Sequence, residues 1–161
     1  MSKDKVKLTI NEIRAGAFEG VQRRCNHLLT SPDKKGTPWD IDIEGAIKEK
    51  AVAKFLQLYW QEDADLENAL DVGNKLEVRG TPYFNGCLII YEKDKDNIPY
   101  ILITGSAPEF HFKGWLFGKD AKQKEWWKTK ADGKKKPAYF VPQYALRPNK
   151  ELFNHLKYKE N

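Results

Sequence analysis

Two cysteines, three histidines and one methionine are all that this 161-residue chain holds of the softer metal-binding side chains. Cys25 and Cys87 are far apart and lack Cys-x-x-Cys spacing, which argues against a structural zinc site; their apolar neighbours predict buried thiols. His27, His111 and His155 show no mutual spacing of a metal cluster or a triad. Ser106 and Cys87 have no evident base and orienter, so nucleophilic catalysis gains little support. No glycine-rich phosphate loop of Walker or dinucleotide form is present. No apolar run approaches a membrane span, and the opening Met-Ser-Lys-Asp-Lys-Val-Lys lacks the apolar centre of a signal peptide. A cytoplasmic protein with no membrane partner is therefore expected.

Charged residues make up 32% of the chain and the mean hydropathy is −0.71, while 12% aromatic content and runs of Leu, Ile and Val predict a folded interior. The length suits a single domain, 1–161. A net charge of +5 leans toward a polyanionic partner, and its distribution matters more than its size.

Thr9-Ile10-Asn11-Glu12 has the form of a helix capping box, and Ile13, Ala17, Val21 and Leu28 recur at helical spacing to about residue 29. Pro, Gly and Lys collect in a loop over residues 31–38. Asp40 or Asp42 can cap a second helix over residues 43–59, whose apolar face (Ile43, Ile47, Ala51, Phe55, Leu58) is broad enough to pack on a sheet. Strands follow at residues 76–79, 88–91, 100–104 and 110–115, then a basic segment from 118 to 137, a strand-like piece at 138–141 and a terminal helix from 149 to 156. The expected fold is α/β or α+β: two N-terminal helices, a mixed sheet of at least four strands, a C-terminal basic segment and a short helix.

The stretch Asp71-Val72-Gly73-Asn74-Lys75-Leu76-Glu77-Val78-Arg79 sets the chemical question. Gly73-Asn74 signals a turn, and alternation puts Glu77 and Arg79 on one strand face with Leu76 and Val78 on the other. Two carboxylates joined by a turn, with a guanidinium beside them, can hold a divalent cation against a phosphate. They can equally be an edge strand with an ordinary ion pair. Upstream, Glu49 sits on a helix that precedes a sheet, where an acid is costly unless it is paired or faces a cleft.

A helical Gly-x-x-x-Glu (Gly45 to Glu49) before an apolar run, followed by an Asp and then a strand acid two residues before a cation, resembles the restriction-endonuclease-like superfamily, the PD-(D/E)XK nucleases, over roughly residues 42–104. The resemblance implies Mg²⁺ (or Mn²⁺) held by Glu49, Asp71 and Glu77, with the Val78 carbonyl completing the shell and Arg79 in the place of the family's lysine. Leu70 stands at the family's proline, and the gap from Asp71 to Glu77 is short. Arg79 stays protonated, so it can orient water or stabilise phosphate charge but cannot act as a general base. The whole chain is also similar to small uncharacterised proteins of phages and mobile elements, through Gly114-Trp115, Gly118-Lys119-Asp120-Ala121-Lys122, Glu125-Trp126, Tyr139-Phe140-Val141-Pro142-Gln143 and Leu146-Arg147-Pro148.

Lys119, Lys122, Lys124, Lys128 and Lys130 could neutralise phosphates, with Trp126 stacking on a base, or they could form a solvated loop whose tryptophans fill the core. Arg23 and Arg24 could extend that surface. The function expected is a Mg²⁺-dependent nuclease acting on nucleic acid, DNA before RNA. The alternatives are a non-catalytic nucleic-acid-binding protein on a similar fold, or a phage accessory factor directed at a host protein.

Overall fold

The computed structural model describes residues 4–30, 38–58, 71–73, 75–129 and 136–158. The fold is α+β: a four-stranded mixed sheet, a second sheet of three short strands, and helices that cover the larger sheet. The main sheet runs β1 (Lys5–Lys7), β5 (Glu109–Phe117), β4 (Pro99–Ser106), β2 (Glu77–Thr81), with only the β2–β4 pair parallel. The small sheet runs β3 (Leu88–Ile90), β7 (Ala138–Val141), β6 (Trp127–Lys128).

Sequence periodicity places most of these elements but misassigns one membership. The strand at Leu88–Ile90 belongs to the small sheet, and the fourth strand of the main sheet is Lys5–Lys7, which the sequence presents only as a basic leader. A strand of three residues with lysine at both ends is too short for its alternation to stand out, and suits a sheet edge.

Helix α1 (Ile10–Thr30) opens on the expected capping box: the Thr9 N–H donates to Glu12 Oε2 at 2.7 Å, and the Glu12 N–H donates to Thr9 Oγ1 at 3.3 Å. Its buried face is not the expected Ile/Ala/Val/Leu stripe, whose members are half-buried, but Gly16, Glu19, Gly20 and Arg24. The reason is a close helix crossing. A Cβ at Gly16 would stand 2.9 Å from the Ile47 Cα, and one at Gly20 would collide with the backbone of Ile43.

Helix α2 (Trp39–Leu56) starts earlier than its apolar pattern and has Pro38 at its N-cap with no side-chain cap. Asp40 and Asp42 therefore lie in the first turn, where carboxylates meet the positive end of the helix dipole. The helix ends at Gln57, in left-handed conformation, whose N–H bonds the Ala53 and Lys54 carbonyls. Its Ala46, Ile47, Ala51, Val52 and Leu56 bury against Val72, Leu76, Ile101, Ile103, Phe110 and Phe112, joined by Leu152 and Leu156 of the terminal helix α3 (Asn149–Tyr158).

The opposite face of β4 presents Tyr100 and Leu102 to Leu88, Ile90 and Val141 of the small sheet. That two-sided cover explains why β4 reads as an unbroken apolar run. Cys25 is exposed and Cys87 half-buried, against the expectation of buried thiols; Leu29, one turn further along the Cys25 side of α1, is itself exposed. Among the described residues no helix is long and apolar enough to cross a membrane.

Candidate metal and phosphate site

Val72 and Leu76 close a tight antiparallel bridge into the core. The hairpin turns Asp71 back along β2, where its Oδ2 accepts the Val78 N–H at 2.7 Å. The Asp71 and Glu77 carboxyl groups lie close enough to act on each other's ionisation. Burial, then the charge of Glu77, pushes the Asp71 pKa up to about 7 despite the Val78 hydrogen bond. Burial also raises Glu77, and the neighbouring Asp71 and Arg79 only partly oppose it. Asp71 and Glu77 thus share a half-buried position in which burial disfavours both negative charges.

Arg79 flanks the pair. Its guanidinium lies 3.6 Å from Glu77 Oε2 and donates to Asp94 Oδ2 at 3.0 Å, while its Nε is buried without a hydrogen-bond partner. Burial works against the Arg79 charge, but Asp94, Glu77 and Asp71 outweigh it and raise its pKa. The guanidinium carbon also lies 5.0 Å from the centre of the Tyr100 ring, whose hydroxyl is pushed up to about 12 by burial and then by Asp94.

Glu49 approaches from α2, near enough for its charge to act on Glu77. It is only 6% exposed, and both of its oxygens are taken by Arg23 at 2.7 Å. Arg23 also reaches Glu19 at 3.3 Å. The expectation that Arg23 and Arg24 extend a basic surface is therefore corrected. Arg23 is the fork-shaped partner of Glu49, and Arg24 is buried beside Asp42 at 3.6 Å. Next to Glu49, the stem of Lys48 lies over Gly80, at a spot where any Cβ would collide with it.

The structure therefore brings Asp71, Glu77, Arg79 and the Val78 backbone together and sets Glu49 beside them in an ion pair of its own. Among the described residues, no group of three or more His, Cys, Asp or Glu stands ready-arranged around a metal position. Asp71 and Glu77 do supply the hard oxygen donors that Mg²⁺ prefers, and their mutual repulsion is what a cation would relieve.

The lysine segment separates into different roles. Lys122 is a clamp: its Nζ donates to the Glu92 and Asp94 carbonyls and to Asp96 Oδ1 at 2.9, 2.7 and 2.7 Å. It thereby fixes the turn that aims Asp94 at Arg79. Lys119, Lys124 and Lys128 are exposed, Trp126 packs partly against the small-sheet core, and Lys130 lies outside the described residues.

Asp94 is the site residue that sequence reading misses. Asp94-Lys95-Asp96-Asn97 looks only like a turn, and the one available signal was a surplus of acids in it. No family model, curated protein or solved structure matches the chain, so the chemistry must be read from these side chains themselves.

Proposed function

We propose that this chain is a Mg²⁺-dependent nuclease (Mn²⁺ being an alternative ion) that hydrolyses phosphodiester bonds of nucleic acid, with Asp71 and Glu77 at its centre. The observation that carries the reading is the return of Asp71 onto β2, where its half-buried carboxyl group stands close to that of Glu77 beside the half-buried Arg79 guanidinium. Two acids held close at a chain reversal are costly to ionise together, and a bound cation would offset that cost.

Asp71 and Glu77 would hold the ion, with the Val78 carbonyl and Glu49 as further oxygen donors if Arg23 yields a Glu49 oxygen. When bound, such an ion polarises a phosphoryl oxygen and lowers the pKa of water. Arg79, oriented by Asp94, turns its remaining N–H groups to the phosphate and offsets charge that builds on it. Lys48 adds a second cation at the edge of β2. DNA is the favoured substrate.

Asp71→Asn tests the reading. It should lower Mg²⁺-dependent cleavage of plasmid and oligonucleotide by roughly a thousandfold, the cost of losing about 4 kcal/mol of transition-state stabilisation, and leave binding in EDTA largely intact. Equal cleavage by the variant and the unaltered protein would remove it.

A second reading has one observation behind it. Arg23–Glu49 and Arg79–Asp94 are ion pairs already made within the protein, so the network can be a structural frame for a non-catalytic nucleic-acid-binding or phage accessory protein. That reading predicts salt-dependent binding with no metal requirement and no cleavage.

A further inference from the structure

We infer that the loop between β2 and β3 is a stacking surface for unpaired bases, so that the strand presented to the acid centre is single-stranded or frayed. The link to cleavage rests on the nuclease reading, but the surface itself is built from other residues. Tyr83, Phe84 and Tyr144 are 75%, 58% and 87% exposed. A single exposed aromatic residue needs no explanation, but these stand on two segments that are fastened to each other. Gln143, next to Tyr144, donates through Nε2 to the Phe84 and Gly86 carbonyls at 2.8 and 2.9 Å, which ties the two aromatic segments to each other.

The loop is also held in shape from within. The Gly86 N–H bonds the Tyr83 carbonyl at 3.0 Å, the Tyr83 N–H bonds Thr81 Oγ1 at 3.3 Å, and a Cβ on Gly86 would collide with the Thr81 side chain. Rings displayed on an ordered loop lose little freedom when a flat partner settles on them.

Charge complementarity selects the partner. In the β4–β5 pair Leu102 faces Gly114 and Ile103 faces Phe112, which leaves Lys113 as the extra residue of a bulge. Its Nζ lies 3.1 Å from the centre of the Phe84 ring, and His111 meets the same ring edge-on at 5.4 Å. A ring backed by a cation and open on its other side suits a base with its phosphate close by, and it is a poor seat for an aliphatic helix.

Position links this surface to the acids. Glu77, Arg79 and Thr81 alternate onto one face of β2, and Thr81 pairs with Thr104, which pairs with His111. The aromatic loop therefore begins about 13 Å along the same sheet face from Glu77, at ordinary strand rise.

The test is fluorescence anisotropy in EDTA with labelled oligo(dT), oligo(U) and a duplex of matched length. The unaltered protein should bind single strands more tightly than duplex, and Tyr83→Ala with Phe84→Ala should weaken single-strand binding about tenfold or more while duplex binding changes little. If the alanine double variant melts early, Tyr83→Leu with Phe84→Leu keeps apolar bulk without the ring and should show the same loss.

Indifference of single-strand binding to both double variants, or a preference for duplex, overturns the inference. So does an absence of nucleic-acid binding, which would give the patch to a protein partner. Strand preference with no metal-dependent cleavage removes the nuclease reading and keeps this one; cleavage with binding indifferent to Tyr83 and Phe84 does the reverse.

Discussion

The acid cluster at the start of β2 and the lysine segment after β5 have opposite charge, but they differ more in burial than in sign. Asp71, Glu77, Glu49 and Arg79 are buried or half-buried and act on one another, so each position is constrained by its neighbours. Lys119, Lys124 and Lys128 face solvent and are constrained by little. A charge that folding removes from water must be matched by a partner or a ligand, whereas one left in water need be neither. The contrast makes the acids the better guide to chemistry, although the lysines are more numerous. Lys122 sharpens the point: it is the lysine of the basic segment bound to the acid side's turn, and it serves structure.

Breaking a buried pair should have the largest effect. Arg23→Ala leaves the Glu49 carboxylate buried without its bidentate partner and should cost about 3–5 kcal/mol of stability, measured by urea unfolding. Arg23→Ala with Glu49→Gln should recover part of that loss. Lys122→Ala removes a charged donor from three oxygens and should cost about 2–3 kcal/mol, whereas Lys124→Ala in the same segment should stay within about 0.5 kcal/mol of the unaltered protein. Equal losses for Lys122 and Lys124 would erase the distinction between clamp and solvated charge.

The acid pair makes a smaller prediction with a definite sign. The folded state raises the Asp71 pKa from 3.8 to about 7, so between those values the native protein binds more protons than the unfolded chain. Asp71 therefore contributes stability that is fully present below about pH 4 and is lost as pH rises to about 7. In metal-free buffer Asp71→Asn should be more stable than the unaltered protein by about 1–2 kcal/mol at pH 8, with the gap closing toward pH 4.

Local signals were legible and distant ones were not. The Thr9–Glu12 capping box, the apolar face of α2 and the two-sided burial of β4 depend on residues close in sequence or on simple periodicity. The Val72–Leu76 hairpin and the contact of Asp71 with Glu77 were readable for the same reason, because a turn dipeptide lies between them. Arg23 with Glu49 and Asp94 with Arg79 join different elements, and no spacing rule connects them. Gly16 and Gly20 show a related limit. Their role is to let α2 approach, which is invisible until the position of α2 is known.

The most direct test of the acid pair as a cation site is thermal melting of the unaltered protein and Asp71→Asn at pH 8, in EDTA and then in saturating Mg²⁺ or Mn²⁺. The account predicts that the ion raises the Tm of the unaltered protein, closing or reversing its deficit, and leaves Asp71→Asn nearly unmoved. An equal shift in both proteins, or no shift in either, would contradict it.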